Sequence, residues 1–141
     1  MDTSALSRGL RNHNPLNIRY TGEKWQGSAE QRDSAFHCFV NNAYGYRAAF
    51  KTIRSHMLRG ETCIDKLIKG WAPASDGNNT ESYIRQVSKM TGVGRYVILY
   101  TNDVETMVSL VHAMAIVENG MKYLEFIKEE EIRQGYHLAF G

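Results

Sequence analysis

Residues 102–120 read NDVETMVSLVHAMAIVENG and carry the clearest helical pattern in the chain. Apolar residues recur at three- and four-residue spacing from Val104 to Ala115, which predicts an amphipathic helix. Asn102 is the predicted N-cap, with Glu105 at the capping-box position, and Gly120 is the predicted stop. This is the most clearly marked helix of the sequence.

Helical patterns of the same kind occupy most of the sequence on either side of it. The spacing of apolar residues and the glycine stops predict further helices at 42–60, 62–70 and 80–92, and a last one that begins near Lys128. We therefore expect about five helices in a helical region that extends from residue 42 to residue 141.

Residues 15–40 have a different pattern. Three short segments rich in β-favouring residues, 17–20, 25–27 and 35–40, are separated by Gly22 and Gly27 or by polar residues. They predict a small antiparallel hairpin or three-stranded sheet, preceded by an irregular arm at residues 1–14. The expected architecture of residues 1–141 is a single α+β domain, mostly helical, with a small N-terminal β-hairpin.

Composition excludes several classes of protein. The formal net charge of +2 is too small to indicate nucleic-acid binding, and no apolar stretch approaches the length of a membrane span. The first residues lack the apolar core of a signal peptide, so we expect synthesis in the cytoplasm. Neither cysteine sits in a Cys-x-x-Cys pair and the five histidines have no ligand-like spacing, so no metal and no cofactor is expected.

One carboxylate occupies an unusual position. Glu118 continues the apolar stripe that ends at Ala115, and it lies in the last turn of its helix, where the helix dipole disfavours negative charge. Burial and dipole both raise the pKa of such a carboxyl group, which is what the general acid of a glycosidase needs. Two other interpretations stay open: the side chain turns into water at a frayed helix end, or it pairs with Arg11, Arg19 or Arg47.

Other candidate residues each have a structural and a functional interpretation. Asp33 is either a second catalytic carboxylate or a turn cap, and Glu23 is either catalytic or a solvated turn charge. Aromatic rings at Trp25, Trp71 and Tyr83 either stack on sugars or anchor the core and loops. Side-chain amides serve turn geometry or line a glycan groove; the candidates are Asn12, Asn14, Asn17, Asn78 and Asn119.

Several strings in the chain occur in the order found in a known group of proteins. They include Arg8-Gly9-Leu10-Arg11-Asn12-His13-Asn14-Pro15-Leu16-Asn17-Ile18, Trp71-Ala72-Pro73, Asn78-Asn79-Thr80 and Glu118-Asn119-Gly120. This order resembles a family of virion-associated proteins of phages and prophages and is similar to the lytic virion protein of enveloped double-stranded RNA phages. The resemblance implies a lysozyme-like fold, close to that of lytic transglycosylases, with a glutamate at a helix C-terminus facing a cleft.

Three hypotheses about function follow. The first is a peptidoglycan glycosidase, a muramidase or a lytic transglycosylase, with Glu118 as general acid and the glycan strand as its partner. The second is a non-catalytic virion or wall-binding protein whose partners include other virion proteins. The third is a secreted antibacterial effector with the same chemistry. The resemblance places such a protein in the virion or delivers it to the periplasm.

Overall fold

The computed structural model describes residues 5–141 and shows α-helices joined by loops. Six α-helices follow one another in this part of the chain: α1 (Arg8–Arg11), α2 (Asn42–Leu58), α3 (Ile64–Trp71), α4 (Thr80–Thr91), α5 (Val104–Asn119) and α6 (Glu129–Phe140). Short 3-10 helices at Ala74–Asp76 and Met121–Phe126 lie between α3 and α4 and between α5 and α6. None of the helices described is long and apolar enough to cross a membrane.

The prediction of an α+β fold with a lysozyme-like β-hairpin is wrong. Residues 15–40 contain no strand, and their only β pairing consists of two isolated antiparallel bridges, Arg19 with Phe36 and Ser28 with Phe39. Throughout residues 5–141 the regular secondary structure is helical. We refer to residues 15–40 as the N-terminal loop.

Side chains take the place of a strand ladder in the N-terminal loop. The Asn14 amide donates to the carbonyl oxygens of Ile18 and His37, at 2.9 Å each, and accepts from the amide of Ile18 at 2.9 Å. Asp33 accepts from the backbone amides of Ala35 and Phe36 at 2.8 and 2.9 Å. Backbone hydrogen bonds still join the segments, such as His37 to Ile18 at 2.9 Å and Tyr20 to Ala35 at 2.8 Å, but they do not continue into a ladder. Side chains bond several of the neighbouring backbone groups instead.

The helix ends lie close to the predicted positions. Asn41, rather than Asn42, caps α2 by accepting from the amide of Tyr44, and Asp103, rather than Asn102, caps α5 by accepting from the amide of Thr106. Adjacent residues of equal capping ability make this choice invisible in the sequence. The predicted irregular arm at 1–14 contains the short helix α1, while its residues 1–4 lie outside the described part of the chain.

Helix α5 lies in the centre of the core, with Met107, Val111 and Met114 fully buried. Helices α2 and α6 pack closely because Gly135 has no side chain: a Cβ there would lie 2.5 Å from the Cβ of Tyr46. Because α5 is buried on most sides, the orientation of its last turn is fixed. Glu118 is thereby held against the N-terminal loop.

Candidate functional site

A cleft of about 480 Å³ opens beside the last turn of α5. The N-terminal loop lines one side of it, α2 and the end of α3 contribute further side chains, and the residues after α3 complete it. The lining residues are Leu16, Asn17, Ile18, Arg19, Thr21, Glu23, Trp25, Phe36, Thr52, His56, Gly70, Trp71, Ala72, Pro73, Asp76, Asn78 and Glu118.

Both carboxyl oxygens of Glu118 are held by neutral donors. Asn17 Nδ2 donates to Oε1 at 3.0 Å, and the hydroxyl of Tyr83 donates to Oε2 at 2.9 Å. None of the ion pairs within residues 5–141 includes Glu118, so the predicted alternative of an arginine partner finds no support among Arg11, Arg19 and Arg47. The carboxyl group is therefore fixed in position without a neutralising cation.

Burial raises the pKa of Glu118 above its ordinary value. Hydrogen bonds from Asn17 and Tyr83, together with the nearby indole of Trp71, favour the charged form, but they only partly offset the loss of solvation. Burial and the adjacent carboxylate in turn raise the pKa of Tyr83 well above its ordinary value, so this phenol stays a donor. The environment thus favours a protonated acid that faces a cleft.

The position of Asn17 depends on a close approach between α1 and α5. Asn17 adopts a positive φ of 55°, and its Oδ1 is buried without a hydrogen-bond partner. A Cβ on Gly9 would lie 2.9 Å from this oxygen and 2.8 Å from Oδ1 of Asn119. Only glycine leaves room for both asparagines at this point. Because Asn17 Oδ1 faces Gly9, its Nδ2 is the amide atom left to bond Glu118.

The structure brings five of the other candidate residues into the cleft with Glu118, namely Asn17, Glu23, Trp25, Trp71 and Asn78. Glu23 is exposed at the edge of the N-terminal loop. Tyr83 is buried and reaches the acid through its hydroxyl, so its ring is not positioned to stack on a sugar. Its contribution is to hold the carboxyl group.

Asp33 lies outside this cleft and has a structural environment. Arg8 donates to its two oxygens at 2.6 and 2.7 Å, and Asn12 donates at 3.0 Å. Arg8 first, then Asn12 and the backbone amides of Ala35 and Phe36, hold the pKa of Asp33 well below its usual range. Asp33 is therefore a permanently charged anchor of the loop and does not join Glu118 as a second carboxylate.

The remaining predicted amides also serve the fold. Asn14 bonds the backbone of the N-terminal loop, as described above, and Asn12 bonds Asp33. Asn119 donates to the carbonyl oxygens of Pro15 and Ala115 at 2.8 Å each. None of Asn12, Asn14 and Asn119 lines the cleft. Their polar groups hold the loop to α5 and so support the site indirectly.

Two further residues of the cleft have roles that the sequence left open or did not show. Trp71, which the sequence left as either a sugar-stacking ring or an anchor, lines the cleft and lies close to Glu118. His56 also lines the cleft, and its ring lies 5.9 Å from that of Trp71 between centroids. Its only sequence signal is a four-residue spacing from Thr52 on one face of α2, which is too common to be informative.

Ligands for a metal ion do not cluster in the described part of the chain. No group of three His, Cys, Asp or Glu side chains is close enough together in residues 5–141 to hold an ion.

Comparison with known proteins identifies a phage relative. No established family model matches the chain. It is 36% identical over 139 residues to Protein P5 of Pseudoalteromonas phage PM2, and the alignment covers 95% of this chain and 82% of that protein. Identity at this level over nearly the whole sequence establishes common descent. The chain belongs to the family of Protein P5 of phage PM2.

Proposed function

We propose that the protein is a peptidoglycan glycosidase in which Glu118 is the general acid. The observation that carries this proposal is the protonation-favouring environment of Glu118 in the side of an open cleft, with both carboxyl oxygens held by Asn17 and Tyr83. A carboxyl group in such an environment can give its proton to the oxygen of a scissile glycosidic bond.

The composition of the cleft supports a carbohydrate ligand. Trp25 and Trp71 offer aromatic faces, while Asn78 and Thr52 offer uncharged hydrogen-bonding groups. Sugars are bound by this combination of flat apolar surface and neutral donors and acceptors. Besides Glu118, the lining has three charged side chains, Arg19, Glu23 and Asp76, and all three are exposed.

The biological setting follows from the relationship to a phage protein. We propose that the chain belongs with the virion-associated wall-degrading proteins that its motifs resemble, and that it acts on the glycan as part of a virion or after delivery to the periplasm. The relative in phage PM2 supports the phage setting. The choice of peptidoglycan as substrate rests on the resemblance and on the cleft.

A direct test is release of soluble fragments from purified Gram-negative peptidoglycan, followed by mass spectrometry of the fragments. Glycan cleavage by the wild type, abolished in Glu118→Gln, is the expected result. Cleavage only of peptide cross-links would replace the glycosidase by another wall enzyme. Binding to peptidoglycan without any cleavage would favour the non-catalytic wall-binding alternative.

A further inference from the structure

A second ionisable group lies in the same cleft as Glu118. His56 is on α2, four residues after Thr52, and both side chains line the cleft. The imidazole is half-buried, and its ring packs at 49° to that of Trp71, which also approaches Glu118. The cleft therefore places an imidazole next to the indole that neighbours the proposed acid.

A carboxylate orients the ring of His56. Nδ1 lies 3.2 Å from Oε2 of Glu61, in the turn that follows α2. Arg59 contributes the other charge at this pair, with one guanidinium nitrogen 3.0 Å from the same Nδ1 and another 3.5 Å from Glu61. A guanidinium only donates, so the contact with Arg59 uses a proton-free Nδ1, whereas the contact with Glu61 needs a proton on Nδ1. The Arg59 side chain is 59% exposed, against 24% for Glu61, so it is the partner that is free to turn to solvent. With the Nδ1 proton donated to Glu61, Nε2 is the ring nitrogen with a free lone pair.

The carboxylate of Glu61 lies in the space that Gly70 leaves because it has no side chain. A Cβ on Gly70 would collide with Oε1 of Glu61 and lie 3.1 Å from Nδ1 of His56. Gly70 itself lines the cleft. The carboxylate, the imidazole and the cleft thus meet at one glycine, in the arrangement of a base whose orientation is set by a third group.

We propose that His56 is the general base of the reaction and that the protein therefore hydrolyses the glycan rather than forming an anhydro-sugar end; this inference rests on the glycosidase proposed above. Nε2 of His56 accepts a proton from a water molecule while the water oxygen bonds to the anomeric carbon. The carbon–oxygen bond to the leaving sugar breaks, and Glu118 gives its proton to that oxygen. One water is consumed, and the new end is a reducing sugar.

Two other side chains of the cleft are possible proton acceptors, and the structure favours His56 over both. Glu23 and Asp76 are exposed, and neither takes part in a side-chain hydrogen bond or ion pair among the described residues. His56 is held by Glu61 and Trp71 in one orientation. A base that is already oriented loses less entropy when it meets its water molecule.

The first experiment identifies the product. Wild-type protein digests purified peptidoglycan, and mass spectrometry of the fragments separates reducing ends from anhydro ends. Reducing ends are the expected result. Anhydro ends would overturn the role of His56 and leave the glycosidase intact, whereas a wild type that cleaves no glycan would remove both proposals.

The second experiment assigns the base. We expect His56→Gln to lower kcat by about 10²-fold while KM changes little. Glu61→Gln, which leaves the imidazole in place, should lower kcat by about tenfold, as expected for a lost orienting group. Glu130→Gln, an exposed glutamate of α6 away from the cleft, is the matched control and should retain activity.

Melting temperatures separate loss of chemistry from loss of folding. If His56→Gln does not fold, Glu61→Gln decides the question through a lower kcat at an unchanged KM. Wild-type rates in a folded His56→Gln or Glu61→Gln variant would overturn the proposal. Loss of activity in Glu23→Gln or Asp76→Asn, with His56→Gln still active, would move the base to that carboxylate.

Discussion

Replacing Glu118 by glutamine removes the ionisable proton of the site and changes the shape of the side chain little. The glutamine carbonyl can take the Oε1 position and accept from Asn17, now at 3.0 Å from that atom. Its NH₂ then faces the Tyr83 hydroxyl, which rotates to accept instead of donating. The two side-chain contacts are kept, so the variant should fold.

The effect on stability has a definite sign. The pKa of Glu118 is raised in the folded protein, so the charged form is disfavoured there relative to the unfolded chain. The contribution of this group to stability is present at low pH and is lost as pH rises from the ordinary value of 4.5 through the folded value. At neutral pH the glutamine variant should be as stable as the wild type or more stable.

The effect on activity should be large. Loss of a positioned general acid lowers the rate by about 10²–10⁴-fold, which equals about 3–5 kcal/mol of transition-state free energy. Release of fragments from purified peptidoglycan measures the rate, and a melting curve measures folding. The matched control is Glu130→Gln, an exposed glutamate in the first turn of α6 away from the cleft. Glycan cleavage at the wild-type rate by a folded Glu118→Gln protein would refute the assignment.

Three further predictions follow from other contacts. Tyr83→Phe removes a hydrogen bond to the charged form of Glu118, so the alkaline limb of the kcat/KM profile should move up by about one pH unit; an unmoved limb would contradict this. Asp65 is buried and pairs with Arg95 and Lys69, so Asp65→Asn should lower the free energy of unfolding by about 2–3 kcal/mol in chemical denaturation. This loss is smaller than that for a fully buried ion pair because both cations stay partly exposed. Burial lowers the pKa of His37, whose Nδ1 has no partner, so stability falls as pH drops below the ordinary value of 6.5. Melting temperatures of His37→Gln should depend less on pH across that range, and an equal dependence would show that His37 is not responsible.

The position of Glu118 could be predicted because helix periodicity is a local property. A carboxylate that continues the stripe from Val104 to Ala115 must face the core side of α5, whatever the rest of the fold. Its partners could not be predicted in the same way. Asn17 is 101 residues away along the chain and Tyr83 is 35 residues away. Only the packing of the N-terminal loop and α4 against α5 brings them to the carboxyl group.

The role of Asp33 shows the converse difficulty. An isolated aspartate before an apolar segment fits both a catalytic carboxylate and a turn cap. The deciding contact is the pair of hydrogen bonds from Arg8, 25 residues away, which the sequence does not reveal. The prediction of a β-hairpin was wrong for a related reason. The β-favouring residues at 17–20 and 35–40 do not show that the side chains of Asn14 and Asp33 bond backbone groups of these segments.

Asparagines near Glu118 have two kinds of role, and their contacts explain the difference. Asn14 and Asn119 donate to backbone carbonyl oxygens; Asn14 does so within the N-terminal loop and Asn119 joins the loop to α5. Asn17 instead has its side-chain carbonyl against Gly9 and donates through its NH₂ to Glu118. A loop held by side chains, with few backbone pairs, can follow the irregular path that brings a positive-φ asparagine against a helix end. The side chain of Asn14 bonds both backbone groups of Ile18, the neighbour of Asn17, and in this way it helps to place the donor that holds the acid.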